Sequence, residues 1–304
     1  MDDRPTLCFP DREKTCFACC PPIRPAGYEH IQYRDMIKRV LRENTHSYRS
    51  GETAMRPITG FSCWALGYLD PGCRLVGCLL HPACNHGEDL RFRIDYGEKC
   101  RRETCPEAHI FEQLEPRVRA FWLHLADGLD TFSYSSRSQN ALFDLLNWGP
   151  ALLTLIAKDD PNAVHTTRTL LEAYPLLGTR LSPRAWAYPV TRLAALKGTG
   201  WLREAAAGTL LEPSLSHLIH GLRADMDPGS VSPGAPPVHR LPMERSFLDF
   251  LRLSLGIRRL ALHRAWSLKD RVDRRLDRLL PKTDPEGHPG RACPSPPTGS
   301  PPGP

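Results

Sequence analysis

Ten of the eleven cysteines in this 304-residue chain fall within its first 105 residues. They are Cys8, Cys16, Cys19, Cys20, Cys63, Cys73, Cys78, Cys84, Cys100 and Cys105; a cysteine-free stretch of 187 residues separates them from Cys293. A segment with so many thiols is held by disulfides, by metal or by neither, and each choice leads to a different fold. The opening, Met1-Asp2-Asp3-Arg4-Pro5, lacks the basic-then-apolar pattern of a secretory leader. The expected location is therefore the cytoplasm, whose reducing chemistry disfavours disulfides and turns dense cysteines toward metal. The close grouping of the cysteines argues against thiols merely scattered through a core.

Composition divides the chain into three regions. Residues 1–106 are rich in Cys, Gly, Pro and aromatics, and one helix is expected in them, at about Ile31–Arg42, where Tyr33, Met36, Ile37, Val40 and Leu41 recur at helical spacing. The rest of that region reads as loops and short strands with little core of their own, which a bound metal would staple together. Residues 107–280 read as helical. Ile110, Phe111, Leu114, Val118, Phe121, Trp122 and Leu125 form an apolar stripe interrupted at Pro116. Further helices are expected over 140–158 with a break at Gly149-Pro150, over 160–174 with Asp160 as N-cap and Pro161 at the first position, and over 183–197, 201–211 and 214–224. A Pro/Gly/Ser linker over 227–242 precedes the longest helical pattern, 246–280, which contains no proline. Residues 281–304 hold nine prolines and read as a disordered tail. The fold class expected is mainly α, with a small irregular metal-stapled N-terminal domain, a helical region and a tail.

Hydrophobic residues make up 41% of the chain and charged residues 24%, which suffices for a core. The longest apolar stretch, Ala141–Ala157, is interrupted by Asp144, Asn147 and Pro150 and is too broken for a membrane span. No phosphate-cradling glycine loop, HExxH or GxSxG motif occurs, so conventional nucleotide-binding, zincin and lipase-type readings lack support.

The cysteine grouping carries the chemistry. Cys16-Phe17-Ala18-Cys19-Cys20 can chelate one ion from a tight turn, with Cys20 adding a third thiolate before Pro21-Pro22 redirects the chain. A second group comprises Cys63 after Gly60-Phe61-Ser62, then Cys73, then Gly77-Cys78-Leu79-Leu80-His81-Pro82, Cys84 and His86. Cys100 and Cys105 form a third, flanked by Lys99, Arg101 and Arg102. Cys16, Cys19, Cys20, Cys63, Cys78, Cys84, Cys100 and Cys105 are the candidate metal ligands. Cys73 and Cys293 are expected to be non-ligands, and Cys8, His81 and His86 stay open.

These residues resemble the YkgJ-type zinc- or iron-chelating proteins, which carry a leading CxxCxxCC cluster, then C-x-F/L, then C-x-Y-x-x-R-P-x-x-C-R. By position, Cys16, Cys19 and Cys20 correspond to the leading cluster, Cys63, Cys78 and Cys84 to the later cysteines, and His81-Pro82 to the Arg-Pro pair. The resemblance covers roughly residues 8–95. The leading cluster here lacks one cysteine, for which Cys8 is the nearest substitute. The final cysteine lies one residue closer to the proline, Arg91 comes late, and Cys100 and Cys105 have no counterpart. The resemblance implies metal binding and names no reaction.

Thiolate ligands suit zinc or an iron–sulfur cluster. Ten cysteines exceed one closed four-ligand site, leaving two zinc sites, one cluster with spare thiols, or an eight-ligand pair of sites. Arg56, Arg74, Arg101 and Arg102 could offset thiolate charge, while Phe17, Phe61, Trp64 and Tyr68 read mainly as core. A redox role for the vicinal pair Cys19-Cys20 would need depressed thiol pKa values. His217 and His220 share a helix face without a nearby carboxylate and read as structural.

Net charge is +6, and Arg252–Arg278 alone carries nine basic and three acidic residues. Such a segment could contact nucleic acid or a partner protein, or lie on an anionic membrane surface. Asp270, Asp273 and Asp277 interleave with Arg274 and Arg278, which suits a solvated helix face instead. The function expected is a metal-binding protein serving metal handling, electron transfer or cluster assembly. The alternative is a structural-zinc module whose basic helix binds nucleic acid or a partner.

Overall fold

Local helical signals decide most of the architecture. The computed structural model describes residues 5–20, 29–51, 63–102, 105–159, 161, 165–179, 181–224 and 234–278. The first helix, α1 (Arg34–Arg49), follows a 3-10 turn at His30–Tyr33 and runs seven residues past the expected end. It buries Ile37, Leu41 and Thr45. An antiparallel hairpin of β1 (Leu66–Tyr68) and β2 (Val76–Cys78) packs on it, with Leu66 opposite Cys78 and Tyr68 opposite Val76. Then come α2 (Gly97–Arg102), α3 (Pro106–Glu112), α4 (Pro116–Leu123) and α5 (Thr131–Tyr134). Pro116 opens α4 at a position where its missing N–H costs nothing.

Helices α6 (Leu142–Leu146) and α7 (Pro150–Asp159) divide at the expected Gly149-Pro150 break. The helix expected from Asp160 starts later. Asp160 lies outside the described residues, Pro161 stands in a turn, and α8 (Thr167–Ala173) begins at a capping box in which Thr166 and Thr169 each receive the other's backbone N–H. Helix α9 (Pro183–Lys197) has the expected bounds and continues through Pro189.

Three expectations fail downstream. Instead of helices over 201–211 and 214–224, the chain forms α10 (Gly200–Arg203) and an unbroken α11 (Ala205–Ala224), which tolerates Pro213 internally. The part of the 227–242 linker that is described, from Gly234 onward, is packed: Val238 and Leu241 are buried, and Pro237 bridges to Arg259. The single helix expected over 246–280 is two, α12 (Arg245–Leu253) and α13 (Leu262–Arg278). Absence of proline was a poor guide there, because Gly256 at φ +74° breaks the helix by entering the left-handed region. Residues 279–304, including the expected disordered tail, lie outside the described residues.

The fold is thus mainly helical, and among the described residues no helix is long and apolar enough to cross a membrane. Its larger core is built on fully buried Trp122, Phe143, Trp148, Phe247 and Phe250, with α9 packed against α7, α12 and α13. A smaller core gathers Phe17, Ile37, Leu41, Leu66, Tyr68, Val76 and Leu80 from the N-terminal region. The N-terminal residues therefore have a core, and it includes one residue from the helical region, Phe132, which meets the Phe17 ring edge-on at 5.2 Å.

The C-terminal segment is tied by several ion pairs to its own helices and to α9. Lys269 pairs with Asp273 at 2.8 Å, Arg192 of α9 with Asp277 at 3.2 Å, and Arg252 with Asp249 at 3.2 Å. Arg184 of α9 also reaches Asp249, at 3.0 Å.

Asp159, at the end of α7, ties three elements together. It accepts from Tyr174 at 2.7 Å and from Thr199 and Arg203 beside it. Burial opposes its ionisation, but these hydrogen bonds outweigh burial and hold its carboxyl below the usual range. Asp159→Ala is expected to destabilise the fold by about 2 kcal/mol near neutral pH. The folded pKa is depressed, so this contribution is complete above the unfolded carboxylate value of about 3.9 and fades as pH falls through the folded value. Urea unfolding of both proteins should show their midpoints converging at acid pH; a constant gap would contradict this account.

Candidate cysteine-lined metal site

The N-terminal arm, residues 5–20, is positioned by side-chain hydroxyls rather than by a sheet. Thr15 Oγ1 donates to the Val76 carbonyl and accepts from the Val76 N–H, both at 2.8 Å, so one hydroxyl does for β2 what a neighbouring strand would. Thr131 Oγ1 accepts from Thr15 N–H at 3.2 Å, and Ser135 Oγ from Phe17 N–H at 3.0 Å. Tyr134 Oη donates to the Leu7 carbonyl at 2.9 Å. Helix α5 and the residue after it thus fasten the arm across more than a hundred residues of sequence.

This fastening places the first four cysteines. Cys16 N–H donates to the Cys8 carbonyl at 2.9 Å, which closes a loop and sets the two residues side by side. Cys20 N–H donates to the Phe17 carbonyl at 3.0 Å, making a turn of Phe17-Ala18-Cys19-Cys20. His30 Nε2 is in hydrogen-bond contact with the Cys20 carbonyl.

The remaining cysteines arrive from the hairpin and the two helices after it. Asn44 of α1 donates to the carbonyls of Cys63 and Leu66, at 3.1 and 2.9 Å, fixing the turn that leads into β1. The register then sets Cys78 opposite Leu66, beside that turn. Cys100 lies on α2, which starts at Gly97. A Cβ at Gly97 would fall 2.1 Å from the Arg91 carbonyl oxygen, so only glycine lets α2 approach the 91–93 turn this closely. Arg91 exploits the approach: it donates to the Cys100 carbonyl at 3.0 Å while gripping Asp89 with two hydrogen bonds. Cys105 caps α3, its Sγ accepting from Ala108 N–H at 3.3 Å.

Nine of the ten described cysteines line one cavity of about 860 Å³: Cys8, Cys16, Cys19, Cys20, Cys63, Cys78, Cys84, Cys100 and Cys105. All eight candidate ligands from the sequence are among them, and Cys8 joins them. Cys73 is exposed, sits at positive φ in the hairpin loop and is not part of the lining. Cys293 lies outside the described residues. His81 and Cys84 reach the cavity from an exposed turn, whereas His86 is exposed away from it. Of the expected charge-balancing arginines, Arg101 lines the cavity, Arg74 pairs with Asp70, and Arg56 lies outside the described residues. Sequence reasoning missed Arg137, which lines the cavity and pairs with the buried carboxylate of Glu107 at 2.9 Å. Only the three-dimensional return of the chain after α5 brings it there.

No disulfide joins the ten described cysteines. Burial, followed by neighbouring thiols, pushes Cys8 up to about 12 and Cys16 higher still. Burial likewise raises Cys63 to about 11, Cys78 to about 12 and Cys105 to about 11. Cys20 is raised first by its side-chain hydrogen bond with Cys19 and then by burial. Cys8, Cys16, Cys20, Cys63, Cys78 and Cys105 are thus held toward the neutral thiol unless a cation faces them. A bound metal reverses that balance, because its charge deprotonates a coordinating thiol outright. Among the described residues, no group of three or more His, Cys, Asp or Glu side chains is placed so that it could hold a metal ion. The site is a gathering of thiols around a cavity.

Comparisons with protein-family models, curated proteins and solved structures returned no match. The resemblance to YkgJ-type proteins therefore rests on the quoted residues.

Tyr134→Phe removes the donor to the Leu7 carbonyl and is expected to cost about 1 kcal/mol. It should also speed alkylation of Cys8 and Cys16 by releasing the start of the arm. Unchanged alkylation rates would show that the threonine and serine contacts hold the arm without it.

Proposed function

We propose that this chain binds metal, as zinc or an iron–sulfur cluster, through the cysteines around its cavity, and serves metal handling, electron transfer or cluster assembly. The observation that carries the proposal is the convergence of nine cysteines, from both ends of a segment almost a hundred residues long, on one cavity. Random placement of buried thiols in a core would leave them dispersed and packed against apolar side chains. Here they share a wall with Lys99, Arg91, Arg101 and Arg137, cationic groups that offset the negative charge of a thiolate-bound metal. Zinc and iron–sulfur clusters both take such a donor set.

The test is metal and acid-labile sulfide content, with a visible spectrum, on protein purified without oxygen. Iron with sulfide and broad absorbance near ~400 nm would identify a cluster; colourless protein containing zinc would identify a thiolate zinc site. Cys16→Ser and Cys78→Ser are each expected to lower bound metal. Metal content unchanged in both variants, or no metal in the unaltered protein, would overturn the proposal.

A further inference from the structure

Charges that alternate along the sequence of α13 are sorted to opposite sides in the folded helix. Asp270, Asp273 and Asp277 fall within a sector of about 60° around the axis, at about 100° per residue. Two of them are drawn away from the arginines next to them. Asp273 accepts from Tyr188 of α9 and pairs with Lys269 at 2.8 Å, and Asp277 pairs with Arg192 of α9 at 3.2 Å. On the other side, His263, Arg264, Arg271, Arg274, Arg275 and Arg278 share a sector of about 120° that holds no acidic residue. Among the described residues, no carboxylate pairs with Arg271, Arg274 or Arg278.

The adjoining α11 does not neutralise this face. A Cβ at Gly221 of α11 would lie 2.9 Å from Arg275 Nη1, so the bare glycine lets that guanidinium pack across α11. From Pro213 to Ala224, α11 carries no acidic residue, and His217, one turn before Gly221, is exposed. Along α13 itself, Arg264, Ser267, Arg271, Arg274 and Arg278 follow one another in steps of three and four, a row of about 21 Å at about 1.5 Å per residue. Its cations are all arginines, whose planar fork matches phosphate oxygens. The one lysine of the helix, Lys269, sits beside Asp273 instead.

We propose that this basic face of α13 binds the phosphate backbone of a nucleic-acid duplex. The proposal does not depend on the cysteine-lined cavity. A packed helix offers charges in a fixed line and a duplex offers phosphates in a fixed line, so neither has to be ordered on binding. Two other polyanions fit less well. Single strands are held by aromatic stacking as well as by charge, and the exposed indole of this helix, Trp266, stands among the aspartates rather than in the basic row. An anionic membrane takes a basic helix by burying its apolar face. That face of α13, formed by Ala265, Leu268, Val272 and Leu276, is already buried in the larger core.

The test titrates full-length protein into labelled, mixed-sequence DNA and RNA duplexes of about 20 base pairs and follows fluorescence anisotropy over a range of salt concentrations. At least one duplex is expected to bind, with log K falling against log salt at a slope of about −2.7 or steeper, as three or more phosphate contacts require. The combined variant Arg271→Gln, Arg274→Gln and Arg278→Gln should bind about tenfold or more weakly and with a slope shallower by about 2.7. Arg39→Gln, Arg117→Gln and Arg168→Gln together remove the same charge from exposed positions on other helices and should leave affinity within about twofold. Four results would overturn the proposal: no binding to either duplex, an equal loss in the second variant, tighter binding of a single strand of the same length, or binding to phosphatidylserine vesicles in place of the duplexes. Should the first variant not fold by circular dichroism, Arg274→Gln alone decides at its exposed position. Its slope should fall by about 0.9, and an unchanged slope would overturn the proposal equally.

Discussion

The side of the cavity built from residues 5–20 depends on a few hydroxyl groups that hold an arm without secondary structure of its own. Thr15, Thr131, Tyr134 and Ser135 join residues 7–17 to β2 and α5 through bonds that a sheet would ordinarily supply. Buried backbone groups must find partners, and an arm crossing between two cores has no adjacent strand to provide them. Side-chain hydroxyls serve because each can donate and accept at once. The same contacts fix the spacing between the two cores, since Phe17 packs in the smaller one while Leu7, ten residues earlier, packs in the larger.

Within that frame, the electrostatics of the thiols follow from burial. A neutral thiol is a small hydrophobe and tolerates a buried position, whereas a thiolate there needs compensating charge. The raised values at Cys8, Cys63, Cys78 and Cys105 express the cost of ionising without it. Arg91 and Arg137 are committed to Asp89 and Glu107, so each arrives beside the cysteines as part of a nearly neutral pair. They can stabilise a developing negative charge, but they do not create thiolates by themselves.

Much of the helical architecture was legible in the sequence because its signals are local. The bounds of α9, the Gly149-Pro150 break and the start of α4 at Pro116 all follow from proline and glycine acting on their own neighbours. Errors arose where a local signal was overridden or faint. Pro213 reads as a boundary, yet α11 continues through it, because the loss of one N–H is a smaller penalty than breaking a helix that buries Leu211, Leu215, Leu218 and Leu222. Gly256 was read as one residue of a periodic pattern, although its left-handed backbone ends α12. The cysteines were legible as a group, since spacing and density mark them, but the contacts that gather them on one cavity join residues far apart in sequence, and no spacing rule encodes those. Arg137 was invisible for the same reason.

The arm also sets an order of events during synthesis. The cysteines of residues 8–20 leave the ribosome before the groups that fasten them, Thr131, Tyr134 and Ser135, which are made more than a hundred residues later. At ordinary elongation rates of about 5–20 residues per second, the earliest thiols spend several seconds exposed on a nascent chain. The thiols of the arm are therefore made well before the groups that enclose them.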